Sequence, residues 1–357
     1  MRTPVVLLTG VDRDAMAATM VGLQFDLPAA VAVRHHIDVE RGVLERVVSD
    51  VTGVVERVDH ELEHACVTCA IREDVVPTLE RLARSGRWST IVAHLPVGAE
   101  AAQVCQVVSW DTRLARHLRV SGVVVAVDGQ RVVDDLVGDD LLAERGDHSA
   151  VDDRRGVAEV NGAMVEYADV VVTRGEPDPT GEALLRALAR PDADVVAGVE
   201  HLEAAGLTRD RHQHGRSRAW VDAVRRDPLP PLASDRVWRV ELASPQPFHP
   251  ERLLEDLESL GGGRHRSRGS FWLPTRPGQV LVWDGAGGQL SIGAGEPWRD
   301  REPHTRIVLT GVGAEPAHLR DAFAAMLLGP DEAAAGGGWR VAEDGFEPWL
   351  GPVRRVA

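Results

Sequence analysis

No lysine occurs anywhere in these 357 residues: all 40 basic side chains are arginine, and asparagine occurs once, at Asn161. The first absence removes the ammonium group on which most phosphate-binding loops close. Cysteine is scarce as well, with three in the chain, which excludes a disulfide framework. No apolar run approaches the ~18 residues of a bilayer span, and "PVVLLTG" from Pro4 follows neither a basic stretch nor a cleavage site. A cytoplasmic protein without a membrane segment is expected. A net charge of −15 disfavours DNA and any broad, salt-driven contact with phosphates. Two local stretches run against that sign, "RDRHQHGRSR" (Arg209 to Arg218) and "RHRSR" (Arg264 to Arg268).

What the chain does have is valine. Short valine-rich runs at Pro4 to Gly10, Ala29 to Ile37, Ser89 to Leu95, Val120 to Asp128, Ala168 to Thr173 and Ala193 to Val199 alternate with amphipathic segments. Continuous runs of this kind mark strands buried on both faces, so an α/β fold with a mostly parallel sheet flanked by helices is predicted. Helices are expected at Asp74 to Ala83, Glu100 to Arg119 and Gly181 to Leu188. From about residue 207 to 234 the composition shifts to Arg, His, Asp and Pro, which reads as a linker. Beyond it, "VWRVELAS" and "QVLVWDGAGGQLSIGAG" alternate as half-buried antiparallel strands do. The predicted domains are 1–206, a linker at 207–234, a smaller α+β domain at 235–330, and a Gly/Ala-rich spacer and tail at 331–357. Trp272, Trp283 and Trp298 are expected in the core of the smaller domain, and His249 at the start of its helix.

The chemistry concentrates in "HACVTCAIRED", residues 64–74. Cys66 and Cys69, two residues apart, suit a tetrahedral Zn²⁺ that prefers sulfur and nitrogen donors. They supply two of four ligands. A thiol–disulfide pair and inert packing are the competing readings, and the redox reading lacks a strand leading directly into the pair. His64 is the nearest nitrogen donor, with Glu61 and Glu63 upstream. His94 and Cys105 are further candidates, although His94 could equally be satisfied by backbone and Cys105, in "QVCQVV", could be a core cysteine. His35 and His36 are weaker options, and His212 and His214, for which metal holding is the competing reading, read among their arginines as a solvated loop.

Two separated segments, "CVTCAIREDVVPTL" and "PFHPERLL…SRGSFWLPTRPGQVLVWDGAGGQLSIGAGEPW", resemble the CobW-like metal-chaperone GTPases. The resemblance implies a P-loop-GTPase-like domain followed by a CobW C-terminal domain. The nucleotide machinery departs from it. Where the family has GxxxxGK[ST], this chain reads "GVDRDAMA": Gly10, then Asp12 and Asp14 in the loop, Met16 for the lysine and Ala17 for the hydroxyl. The family's Asn-Lys-x-Asp reads Thr173, Arg174, Gly175 and Glu176. Its glutamate-bearing switch reads "VAHLPVG" with His94 and Leu95.

A pseudo-GTPase is therefore expected, neither an enzyme nor a binder of GTP and Mg²⁺. The combination is similar to an actinobacterial branch of the family that includes zinc-responsive recruitment of a hibernation factor to ribosomes. The resemblance implies a zinc-responsive binding protein acting with a protein partner or a ribosome-associated factor. The alternative is an ordinary GTP-dependent metallochaperone that delivers zinc or cobalt to a client.

Overall fold

Valine, branched at Cβ, fills the interior of an eight-stranded sheet. The structure is a computed structural model and describes residues 2–62, 66–329, 331–332, 339 and 343–353. The strands are β1 (Thr3–Gly10), β2 (Ala30–Asp38), β3 (Val43–Asp50), β4 (Gly53–Glu61), β5 (Thr90–His94), β6 (Leu118–Asp128), β7 (Val170–Arg174) and β8 (Asp194–Ala197). Their order is β4-β3-β2-β5-β1-β6-β7-β8. From β2 to β8 all neighbours are parallel, whereas β3 and β4 are antiparallel. All six predicted runs are strands. The β3–β4 hairpin was not legible because Glu45, Arg46, Glu56 and Arg57 interrupt its apolar pattern. The residues of β4 are largely exposed.

The helix expected at Glu100 to Arg119 is shorter. It spans Ala101–Trp110 and stops at Asp111, whose Oδ1 accepts from the Arg113 N–H at 2.8 Å, and β6 has begun by Leu118. The stretch 207–234 is not a linker throughout. The chain divides into one unit of Met1–Asp135 with Asp140–Val221 and another of Leu136–Asp139 with Asp222–Ala357, so its first half belongs to the first unit. There His214–Val221 is a helix with Ser217 fully buried.

The second unit is a five-stranded antiparallel sheet in the order β12-β11-β10-β13-β9. Its strands are β9 (Val237–Ser244), β10 (His265–Phe271), β11 (Gln279–Ala286), β12 (Gln289–Pro297) and β13 (Thr305–Val312). Leu253, Leu260, Phe323 and Met326 from its helices pack on Phe271, Trp283 and Leu309. Trp283 and Trp298 are buried as expected and Trp272 is half-buried. His249 stands at the start of the Pro250–Glu255 helix, yet its side chain makes no capping bond and packs edge-on against Trp339. The Arg264 to Arg268 stretch is not a basic surface patch. It leads into β10, the central strand, and Arg266 is 1% exposed and ion-paired with Asp284.

Cys66 begins a helical stretch that bears on the function. Its φ of −145° is extended, and its Sγ accepts the Cys69 N–H at 3.3 Å, so the first cysteine caps the turn carrying the second. The turn Val67–Ala70 continues through a wider turn at Ile71–Val75 into Val76–Ser85. Pro77 accounts for the widening, because it has no N–H to return to the carbonyl four residues back. Asp74, in the widened turn, is 4% exposed. It accepts from His35 Nε2 on β2 at 2.9 Å, from Arg46 on β3, and from Thr78 at 3.3 Å. Arg46 also reaches Glu56 on β4 at 2.6 Å. One carboxylate thus ties the cysteine-bearing helix to β2 and β3, and Arg46 carries the link on to β4.

Burial opposes the charge of Asp74, but the His35 and Arg46 bonds outweigh it and hold the carboxyl down at about 2. Its contribution to stability is therefore present above about pH 4 and lost as pH falls toward 2. Asp74→Asn should cost roughly 2–3 kcal/mol in urea denaturation at neutral pH, because it removes the lowered carboxylate and leaves half-buried Arg46 with Glu56 alone. The variant should also show a flatter loss of stability between pH 4 and 2 than the native chain. An unchanged acid limb would remove Asp74 from that role.

Candidate metal centre

In a parallel α/β sheet, ligands gather where the strands end, and three of the positions compared with the GTPase pattern stand at that edge. β1 ends at Gly10 and a helix begins at Arg13, leaving a loop of Val11 and Asp12. Asp12 caps this helix, its carboxylate accepting the Ala15 N–H at 2.6 Å. A free N–H at a helix start is what a phosphate oxygen takes, and here the chain's own carboxylate has it. Met16 is fully buried in the core with Leu8, Ala126 and Val172. Arg13 is turned aside to Asp147 at 2.6 Å and to the Gly146 carbonyl at 2.7 Å. At the end of β7, Thr173 donates to the Gly175 carbonyl at 2.6 Å and Arg174 to Asp128 at 2.7 Å.

The sequence-predicted metal residues divide. Cys66 and Cys69 are free and half-buried, and a hydrogen bond between the two sulfurs is the largest influence raising the Cys69 thiol above its usual value. Two adjoining thiols fit half of a tetrahedral site. His64 and Glu63 lie outside the described residues. Among the described residues, no His, Cys, Asp or Glu joins Cys66 and Cys69 in a group of three with ligand atoms within 4.8 Å of one another. His94, at the end of β5, is 6% exposed, and its Nδ1–H donates to the Leu95 carbonyl at 2.9 Å. Burial is the main cause that lowers it to about 4. Its Nδ1 is thus satisfied by backbone, and among the described residues it joins no three-donor group with Cys66 and Cys69. His35 is committed to Asp74.

Cys105 is drawn elsewhere. It is 2% exposed on the Ala101–Trp110 helix, and its partners are His212 and His214, the two histidines read as a solvated loop. Ligand atoms of the three lie within 4.8 Å of one another, the one such group among the described residues. Tyr167, the last residue of the Val157–Tyr167 helix, places its hydroxyl 3.4 Å from His212 Nε2 and 2.6 Å from His214 Nδ1. Behind them stands Asp169, fully buried, which accepts from His212 Nδ1 at 3.0 Å, Arg190 at 2.7 Å and the Val123 N–H at 2.8 Å. An ionised carboxylate only accepts, so His212 carries a proton on Nδ1, and Nε2 faces Tyr167.

Burial works against a charged His212, but the bonds to Asp169 and to Cys105 prevail and hold it up at about 9. Burial, together with Cys105, pushes the Tyr167 phenol far above its usual range. Sequence reasoning missed His212 because its burial, at 8% exposure, is imposed by Asp169, 43 residues earlier. The spacing His-x-His was the available signal.

Two family descriptions match the chain: the CobW/HypB/UreG nucleotide-binding domain over residues 37–175, starting after the Gly10 to Ala17 loop, and the cobalamin synthesis protein cobW C-terminal domain over residues 237–327. The zinc chaperone Rv0106 of Mycobacterium tuberculosis is 30% identical over 98% of this chain and 94% of its own length. The zinc-regulated GTPase metalloprotein activator 1 of Dictyostelium discoideum is 21% identical over 68% of this chain and 55% of its own. The Zn(II)-bound YjiA GTPase from E. coli is 16% identical over 91% of this chain and 99% of its own, with a TM-score of 0.37, a superposition too loose to transfer any site.

Asp169→Asn keeps the shape and an acceptor for the Val123 N–H but removes the charge facing Arg190 and His212. It should lower the urea-derived stability by about 3–5 kcal/mol, the cost of stranding buried cations. A loss below 1 kcal/mol would mean that the carboxylate is not what holds this corner together.

Proposed function

The chain belongs to the CobW-like metal-chaperone family, and from that premise we propose that it is a zinc-handling binding protein that neither binds nor hydrolyses GTP. The observation that carries the second half is the Asp12 carboxylate capping the first helix. At ~4 Å and an effective dielectric of about 20, one unit charge on a phosphate would meet roughly 4 kcal/mol of repulsion from it. A helix N-terminus returns only about 0.3–1 kcal/mol to an anion. Repulsion wins, and with Met16 in the core no lysine is available anywhere in the chain to offset it.

The zinc half is supported by the names that two relatives carry and by the half-buried Cys66 and Cys69. On this reading zinc is cargo or signal, held by these two thiolates with further donors. The family implies a client protein. A ribosome-associated partner is the narrower reading, favoured by Arg209, Arg211, Arg216 and Arg218, which are exposed although several are engaged, Arg211 with Asp194 and Arg216 with Asp192. GTP-driven delivery of zinc or cobalt is the reading the closed loop speaks against.

Titrating GTP with Mg²⁺ into the full chain in a calorimeter should give no binding tighter than about 1 mM. A micromolar affinity would overturn the proposal. Replacing Cys66 and Cys69 by serine should reduce bound zinc per chain and its capture of partners from zinc-starved cells. Unchanged zinc and unchanged capture would sink the role of the pair.

A further inference from the structure

We infer that Cys105, His212 and His214 form a second metal site, for Zn²⁺ or a cation of the same class, separate from Cys66 and Cys69. The donor set is one sulfur and two imidazole nitrogens, the ligands that zinc and cobalt share. Zn–S and Zn–N bonds of about 2.3 and 2.0–2.1 Å place the ligand atoms of such a tetrahedral set about 3.3–3.6 Å apart. The three groups already lie within 4.8 Å of one another, so binding needs side-chain adjustment of about an ångström and no refolding. The Tyr167 hydroxyl, 3.4 and 2.6 Å from the two imidazoles, is an oxygen placed to close the tetrahedron.

The surroundings are those of a built site. Metal-ligating histidines commonly donate their other ring N–H to a carboxylate, which fixes the tautomer and orients the ring. Asp169 does this for His212, and Asp169 is itself held by Arg190 and the Val123 amide. A Cys–His–Asp line also has the form of a nucleophile triad. However, a thiol 2% exposed beneath an imidazole 8% exposed admits an ion and not an acyl substrate.

Its position separates it from the nucleotide-like loop. His212 N–H bonds to Ser121 O in the first half of β6, and Asp169 directly precedes β7. The site thus lies at the amino-terminal edge of the parallel strands, whereas Asp12 lies at the carboxy-terminal edge. A metal there joins the Ala101–Trp110 helix to the start of His214–Val221, more than a hundred residues later, and acts as a staple within the first unit.

Cobalt(II) is the probe. The full chain carrying Cys66→Ser and Cys69→Ser should bind one equivalent under anaerobic conditions, with a thiolate-to-cobalt charge-transfer band and the visible bands of a tetrahedral centre. Adding His214→Gln, at a half-buried position that folding can spare, should abolish both. Cys105→Ser in the otherwise native chain should remove one equivalent and leave any cobalt at Cys66 and Cys69. A double-serine chain that binds no cobalt, or bands that survive both His214→Gln and Cys105→Ser, would overturn the inference. The outcomes also separate it from the proposed function: if the Cys66–Cys69 reading fails, the double-serine chain matches the native stoichiometry, and if this one fails, the Cys105→Ser chain does.

Discussion

A carboxylate with no access to water must be surrounded by donors, and in the first unit that carboxylate is Asp169. Ionised and buried, it would cost several kcal/mol if left alone. It selects what lies around it: a backbone amide of β6, the guanidinium of Arg190 and the imidazole of His212. Each then fixes something further. Arg190 donates to Ser217 and to Asp192, which settles where the His214–Val221 helix sits. His212 presents Nε2 to Tyr167. Asp169 pays for its burial by ordering three pieces of chain that share no hydrophobic pattern.

Asp74 does the same on the other flank. Its bonds to His35, Arg46 and Thr78 set the height of the Cys66–Cys69 turn against β2 and β3. Between the two carboxylates runs a sheet of valine that offers packing but no direction. Dispersion and burial stabilise the layers without choosing a register for polar loops, whereas a charge in a low dielectric does choose, because mispairing is expensive. Asp12 adds a third carboxylate, which accepts the Ala15 N–H at the start of the first helix.

How much of this could be read from the sequence follows from the same distinction. The parallel strands were legible because a valine run is a local signal, and the tryptophan-rich second domain was legible for a similar reason. The altered loop at Gly10 to Ala17 was visible as residue types, although that Asp12 caps the helix emerged only from the structure. The β3–β4 hairpin was hidden because its charges pair across strands, Arg46 with Glu56 and Arg41 with Asp59, so its pattern looks polar in one dimension. Arg264 to Arg268 misled for the converse reason, since Arg266 finds its counter-charge on β11. The Cys105 group was illegible as a unit: Cys105 stands more than a hundred residues before the two histidines, and what buries His212 beside it is Asp169, whose local context "YADVVV" reads only as the start of a strand.

The two cysteine environments differ in the property that governs metal exchange. Cys66 and Cys69 are half-buried, form their own cap and leave part of a coordination shell open to other donors, the condition under which a cation can be passed to another protein. Cys105 is enclosed by two imidazoles and a phenol, with a carboxylate fixing one ring, the condition under which a cation is retained. Metal affinity in a site made from distant segments is also folding free energy, because the unfolded chain cannot present the three donors together. On the proposed reading, zinc at the buried group would stabilise the first unit, and zinc at the half-buried pair would be the exchangeable fraction. The division needs no GTP, since release from an open two-thiolate pair can be driven by a partner with more or better donors.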